Sequence, residues 1–454
     1  MKLKTSSLLI AGALFGAAVM PAQANNEAMM NLLKVLRDQG TITAESYELL
    51  INAAKADKEA TETTTAEVKA EVNQATADMP KITTKGKLKI EDREGNWSFQ
   101  TDGRVMWDAI NVDNDGLRTD DDGEGTELRR GRLGFVGSIY DFTYKLDIGF
   151  ATGDTVIKDA YVGYKTKFGD NPFILKLGQT AMPFSFNTVA SSKYMGFLDR
   201  PMYSDSAISR TRGSGAYVQL AEKDYRWILM SSLTNGILNN GKTTGSDETT
   251  FAVRGSFVPL MQDKTHLLQV GIGYLTQGSG GDNKFKYDQR LVSHMAATKD
   301  LKAELTSGYD GSNAYNIDMF GVYGPFHLLA EYTDWTADQS GADDLDLSGY
   351  SVEAGYFLTG ESMKWKQGYT SDVTPKSNLG AWQLVARFEN METEQSQVAA
   401  NNDEADKFTI GINYYPTQNT RLMLNYDKVT DLTIDGINTS FEPSSLKFRA
   451  QTYW

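Results

Sequence analysis

The sequence predicts an all-β fold: a transmembrane antiparallel β-barrel of about sixteen strands behind a short helical or coiled-coil extension. Three observations predict it. The chain opens with an export leader. From about residue 96 to the end, apolar and polar side chains alternate in steps of two, between clusters of turn residues. And no later segment offers about 18 unbroken apolar residues, so a membrane crossing falls to strands.

The leader comes first. Met1-Lys2-Leu3-Lys4 is basic, residues 8–20 are apolar, and Pro21-Ala22-Gln23-Ala24 supplies a small-x-small cleavage site. These features define a signal peptide over residues 1–24. Residues 25–80 read as a periplasmic helical extension. Leu32, Leu33 and Leu36 share a helical face, Gly40 ends that helix, and Thr43 caps a second one containing Tyr47, Leu50, Ile51 and Ala54. Residues 56–77, rich in Ala, Glu, Lys and Thr, are either a thin stalk or a loosely ordered arm.

Residues 81–454 are the barrel. Residues 82–92 and 96–99 read as a hairpin at its entrance. Strands are expected near 96–111, 127–140, 142–152, 156–166, 172–180, 213–221, 225–233, 250–258, 265–277, 314–323, 326–336, 347–358, 379–389, 406–415, 420–430 and 443–454. An even number keeps both barrel ends on the periplasmic side. The stretch 278–313 reads as a long outer loop, although two further strands would fit there. Residues 359–378 form an awkwardly long connection at the short-turn end.

The alternation also sorts charge. Tyr144, Leu146, Ile148 and Phe150 oppose Lys145 and Asp147, while Leu446, Phe448, Ala450, Thr452 and Trp454 oppose Lys447, Arg449 and Gln451. At this size the geometry leaves an aqueous channel. The formal net charge is −14, but the acids crowd into expected outer loops. Inward strand positions carry Arg104, Arg130, Arg132, Lys145, Lys176, Arg226, Arg254, Arg387, Arg421 and Arg449. Rings of Arg and Lys favour anions. The alternative is that these bases pair with Asp108, Asp147, Glu331 and Glu353 and brace the wall. The loop 180–212 and the loop 278–313, with Arg290, are candidates to fold inward.

The chain resembles the phosphate-selective porin O/P family. The resemblance rests on Gly103-Arg104, Leu128-Arg129-Arg130-Gly131-Arg132-Leu133-Gly134-Phe135, Ala190-Ser191-Ser192-Lys193, Val253-Arg254-Gly255 and Gly349-Tyr350-Ser351-Val352-Glu353-Ala354-Gly355-Tyr356. It implies a 16-stranded outer-membrane barrel of a Gram-negative bacterium, usually a homotrimer, with an arginine ladder and inward loops. The expected anion path is Arg104, Arg129, Arg130, Arg132, Lys193, Arg254, Arg290 and Arg387. The expected constriction loop contains Thr188, Ser191, Ser192 and Lys193. Thr188 stands where phosphate-selective members carry a lysine.

The expected function is passive diffusion of small anions such as phosphate. Two other readings stay open: a general non-selective porin, or a structural or adhesive barrel tethered to the cell wall through residues 25–80. With three histidines, no cysteine and no nucleophile motif, the sequence offers no enzyme chemistry, cofactor site or metal site. Expected partners are small anions, outer-membrane lipid and copies of itself, not nucleic acid. The mature chain is expected to start at Asn25 and to run as a heat-modifiable, β-rich band in the outer-membrane fraction. Far-UV circular dichroism dominated by helix would overturn the barrel.

Overall fold

Alternation with a period of two gives a closed sheet whose two faces have opposite chemistry. The structure, a computed structural model, describes residues 20–75, 79–84, 86–117, 123–151, 153, 155–204, 212–238, 248–281, 283–295 and 299–454. Two units are present, residues 1–81 and 82–454.

In the first unit, helix α1 (Met20–Asp38) and helix α2 (Ala44–Ala75) form a hairpin. Gly40 turns the chain at φ +71°, and Thr43 Oγ1 accepts the Ser46 N–H at 3.2 Å, closing the N-terminus of α2. Leu33, Leu36, Tyr47 and Ile51 are half-buried and Ala54 is buried. Leu32, expected on the same face, is exposed. The Arg37 guanidinium lies 4.5 Å above the Tyr47 ring. Helix α2 continues to Ala75, so the stretch from 56 is a helical stalk with exposed sides. The expected leader lies outside the described residues except for its last five, which begin α1.

In the second unit, sixteen strands close into one barrel. They are β1 (Trp97–Asp113), β2 (Gly123–Ile139), β3 (Phe142–Gly149), β4 (Val156–Phe168), β5 (Asn171–Ala181), β6 (Arg212–Ala221), β7 (Trp227–Asn235) and β8 (Thr249–Asp263). The other half is β9 (His266–Gly278), β10 (Tyr309–Tyr323), β11 (Phe326–Gln339), β12 (Leu345–Phe357), β13 (Ala381–Glu394), β14 (Glu404–Thr417), β15 (Thr420–Ile434) and β16 (Ser444–Tyr453). Each pairs antiparallel with the next. The barrel closes where β16 meets β1, from Tyr453 opposite Arg104 to Ser444 opposite Asp113. Closure leaves no open edge, as an apolar solvent demands. A short strand, Lys89–Glu91, pairs with the start of β1 and forms the expected entrance hairpin.

Outward positions carry Val105, Trp107, Leu133, Phe135, Leu146, Val162, Leu177, Leu229, Ile272, Ile317, Val352 and Ile410, all exposed. Inward positions bury Arg104, Asp108, Arg254, Asp318, Glu331, Arg387, Glu389, Arg421 and Arg449. This is the inverse of a water-soluble core and fits lipid outside a polar lumen.

Each of the sixteen expected strands is present. Boundaries differ mainly at the long-loop end, where β13 runs on to Glu394 and β14 starts at Glu404. Much of the acidic stretch expected as loop 390–405 therefore lies on protruding strand ends. Arg226, expected on a strand, is exposed in the turn before β7. The loop 279–308 contains a hairpin, Phe285–Gln289 against Leu301–Leu305, that joins its own two strands only. Its Phe285, Tyr287, Leu301, Ala303 and Leu305 pack on Trp335, Leu345, Met391 and Ala405 inside the barrel mouth. The stretch that could have held two further strands thus folds inside the mouth and adds none to the barrel.

The connection 358–380 folds inward at the opposite end. A tight hairpin, Trp365–Lys366 against Tyr369–Thr370, turns at Gln367 and Gly368 with φ +53° and +90°. Trp365 is buried, and its Nε1–H donates to Gln269 Oε1 at 2.7 Å, while Gln269 Nε2 donates to the Gly368 carbonyl at 3.1 Å. An inward path, not a long surface excursion, accounts for this connection's length. Because the helical hairpin and the barrel are separate units, deleting residues 25–80 is expected to leave the barrel's heat-modifiable mobility intact. A barrel that fails to assemble after the deletion would refute this.

Candidate functional site in the barrel lumen

The loop after β5 folds into the lumen. It begins with Pro183 and a one-turn helix, α3 (Phe186–Val189), capped by Ser185. The Ser185 hydroxyl accepts the Thr188 N–H at 3.1 Å and shares a hydrogen bond with Thr188 Oγ1 at 2.9 Å. Thr188 is buried and turned into the loop's own cap. Phe186 stacks on Phe320 with centroids 5.2 Å apart, and Asn187 donates through its N–H and Nδ2 to the two oxygens of Glu331, at 3.1 and 3.2 Å.

Wall bases then hold the loop's backbone. Arg421 Nη1 donates to the Met195 carbonyl at 2.6 Å, Arg449 Nη1 to Leu198 at 2.6 Å and Arg387 Nη1 to Asp199 at 2.9 Å. Glu389 accepts the Met202 N–H at 2.7 Å, and Tyr203 pairs with Ser351 at 2.8 Å. On β1, the strand next to β16, Arg104 Nη1 donates to Ser192 Oγ at 2.7 Å and Lys193 pairs with Asp102. Ser191 accepts the Lys193 N–H at 3.4 Å. The loop thus spans the lumen.

The expected anion-path residues fall into three groups. Arg254 and Arg387 are wall braces: Arg254 forks onto both oxygens of Asp318, and Arg387 bonds Glu389 at 3.0 Å and Glu353 at 3.4 Å. A bidentate guanidinium–carboxylate pair satisfies both charges locally. Arg104, Arg130 and Arg132 lie together on the wall facing the loop, with Arg132 3.6 Å from Asp147. Lys193 joins them from the loop. Arg129 and Arg290 belong to a third place, a cavity of about 360 Å³ at the long-loop end. It is also lined by Arg200, Lys299, Lys407 and Lys447, with Asp199 and Asp288 as the opposing acids.

Simple alternation cannot put both Arg129 and Arg130 in the lumen. A β-bulge does: Met106 pairs with Arg130 and Trp107 with Leu128, so Arg129 is the extra residue. It reaches Asp199 at 3.6 Å. Sequence reasoning did not select Arg200, Lys407 or Lys447 for the path. Lys407 and Lys447 alternate with Phe408 and Phe448, and that signal was sufficient to find them. Arg200 has no such signal, because it sits on a loop.

This barrel, with a polar lumen narrowed by an inward loop, is that of an outer-membrane porin. The sequence pattern of the family described as "Phosphate-selective porin O and P" matches residues 99–454, and the chain belongs to that family. It is 24% identical over 401 residues to Porin O of Pseudomonas aeruginosa, covering 77% of this chain and 88% of that one. It is 26% identical over 363 residues to an uncharacterized protein of Caulobacter vibrioides, covering 76% and 71%. Among solved structures, outer-membrane-expressed OmpT of Vibrio cholerae superimposes with a TM-score of 0.52 at 12% identity, covering 82% of this chain and 100% of that one. OmpF of Salmonella typhi gives a TM-score of 0.50 at 12% identity, covering 80% and 99%.

The Arg254–Asp318 pair is buried with no water access, so removing one partner strands a charge. Arg254→Leu is expected to lower barrel stability by about 3–5 kcal/mol, and the double change Arg254→Leu with Asp318→Leu to recover much of it. The temperature at which the folded band converts to the unfolded mobility measures both.

Proposed function

We propose that the channel passes small anions, phosphate among them, across the outer membrane by passive diffusion. The observation that carries this reading is the distribution of bases along the lumen. Arg129, Arg200, Arg290, Lys299, Lys407 and Lys447 line the outer cavity, and Arg104, Arg130 and Arg132 follow on β1 and β2, where Arg104 meets the inward loop. Cations in series at moderate spacing attract an anion without trapping it. The family to which the chain belongs supports phosphate as the anion. A homotrimer is the assembly this reading favours, and a trimer form of V. cholerae OmpT, at 14% identity, shares the fold. Residues 25–80 then extend into the periplasm, where contact with the cell wall is their proposed role.

A second reading, a general porin without strong ion preference, draws on the braces. Arg254, Arg387 and Arg449 are each paired to acids, and Arg421 is spent on loop carbonyls.

The two readings separate in planar bilayers under asymmetric salt. The wild-type reversal potential is expected on the anion side. Replacing Arg104, Arg130 and Arg132 together with glutamine is expected to move it towards cations. Single replacements move it less, because lumen charges are screened over about 8 Å at physiological salt. A wild-type pore that prefers cations, unmoved by the triple change, would leave only the general-porin reading.

A further inference from the structure

Two segments that enter the lumen from opposite ends meet over one strip of its wall. The strip is the inward face of β5, β6 and β7. Ile174 pairs with Gln219 and Gln219 with Met230 in one row, and Lys176 stands opposite Tyr217 in the next. Pro183 and Val189, from the loop after β5, and Tyr369, from the connection 358–380, complete the enclosure. Between wall and segments lies a cavity of about 190 Å³.

Most of this lining is carbon. Both tyrosines spend their hydroxyls on the protein: Tyr217 donates to the Thr180 carbonyl at 2.9 Å, and Tyr369 donates to the Met230 sulfur at 3.0 Å. What they offer a solute is a ring. Lys176 and Gln219 differ. The Lys176 ammonium lies 4.9 Å from the centre of the Tyr161 ring and, among the described residues, has no hydrogen bond or ion pair. Asp159, the carboxylate whose charge it feels, is already held by Lys145 at 2.9 Å and Arg212 at 3.2 Å. The Gln219 amide is likewise unbonded among the described residues. An inorganic oxyanion needs donors on every side, and apolar walls would strip its hydration without replacing it. A solute with one anionic end and an apolar body fits both halves of the lining. A dry cavity of about 150 Å³ holds one benzene. The space here, about 190 Å³, admits one six-membered ring with its carboxylate.

We propose that this cavity is a binding subsite for single-ring aromatic carboxylates. The Lys176 ammonium and the Gln219 amide take the carboxylate, each as a hydrogen-bond donor. The Tyr217 and Tyr369 rings, with Ile174 and Val189, enclose the aromatic body. The proposal rests on the anion-channel reading above and extends its solutes from inorganic ions to organic acids. It uses none of the arginines assigned to the anion path.

The test is block of chloride current in planar bilayers by benzoate, with acetate as the same carboxylate without a ring. Bound benzoate neutralises Lys176 and fills the space between the two inward segments, so current falls. Wild type is expected to be half-blocked by benzoate at a concentration at least about tenfold below that for acetate, through burial of the ring. Lys176→Gln is expected to raise the benzoate value about tenfold, the worth of one close charge in a watery channel. Lys176→Arg should keep most of the block. Ile174→Trp, which fills the cavity from the wall, should bring benzoate to the level of acetate. Lys223→Gln, in an exposed turn, should change neither. Heat-modifiable mobility reports whether each variant is folded, and the comparison of benzoate with acetate needs no variant. Equal block by the two acids in an anion-selective wild type overturns the subsite and leaves the anion channel standing. So does benzoate block unmoved by folded Lys176→Gln or folded Ile174→Trp. A cation-selective wild type overturns the reading beneath it.

Discussion

Every backbone polar group in the wall has to find a partner in the wall, because lipid offers none. The register between β16 and β1 meets that demand for the last edge, from Tyr453 opposite Arg104 to Ser444 opposite Asp113. The closed sheet then dictates the side-chain chemistry. One face of each strand sees hydrocarbon and the other an enclosed aqueous space. Arg449, on β16, forks onto Asp108 on β1 at 2.6 Å through both contacts, so the seam that closes the backbone is also pinned across the lumen face.

The lumen is too wide for wall side chains to fill. Three chain segments enter it: the loop after β5, the hairpin-bearing loop 279–308, and the connection 358–380 from the other end. The first is tied by wall arginines donating to its carbonyls. The second is held by apolar burial around Tyr287 and Trp335 and by wall lysines, Lys407 donating to the Leu291 carbonyl and Lys447 to that of Val292. The third is anchored by Trp365 in reciprocal hydrogen bonds with Gln269. The arginines therefore do two jobs. Those with a carboxylate or several carbonyls in reach position the loop, and Arg104, Arg130 and Arg132 gather positive charge on the wall beside it, near Asp102, Asp147 and Asp159.

Bulges decide where that field is densest. A regular strand can place at most every second residue in the lumen. The bulge at Arg129 and the one at Lys158 each add a base to the inward face, and both occur in the β2–β4 segment of the wall. Strand β3 between them is short, and its Gly149 leaves the space that Lys158 crosses. Charge density on this wall thus comes from backbone irregularity as well as from composition.

The sequence by itself determined the strand count and the inward or outward sense of most strand residues. Both follow from local patterns: a period of two and turn clusters. The place of Arg104, Arg254 and Lys447 was legible for the same reason. The tertiary structure alone decided which bases are braces and which remain facing the channel, because that depends on partners far away in sequence, such as Asp318 for Arg254 and the Asp199 carbonyl for Arg387. It also decided the sense of Arg129 and Lys158. Their bulges arise from how neighbouring strands pair, and pairing register is a property of the closed sheet, not of either strand alone.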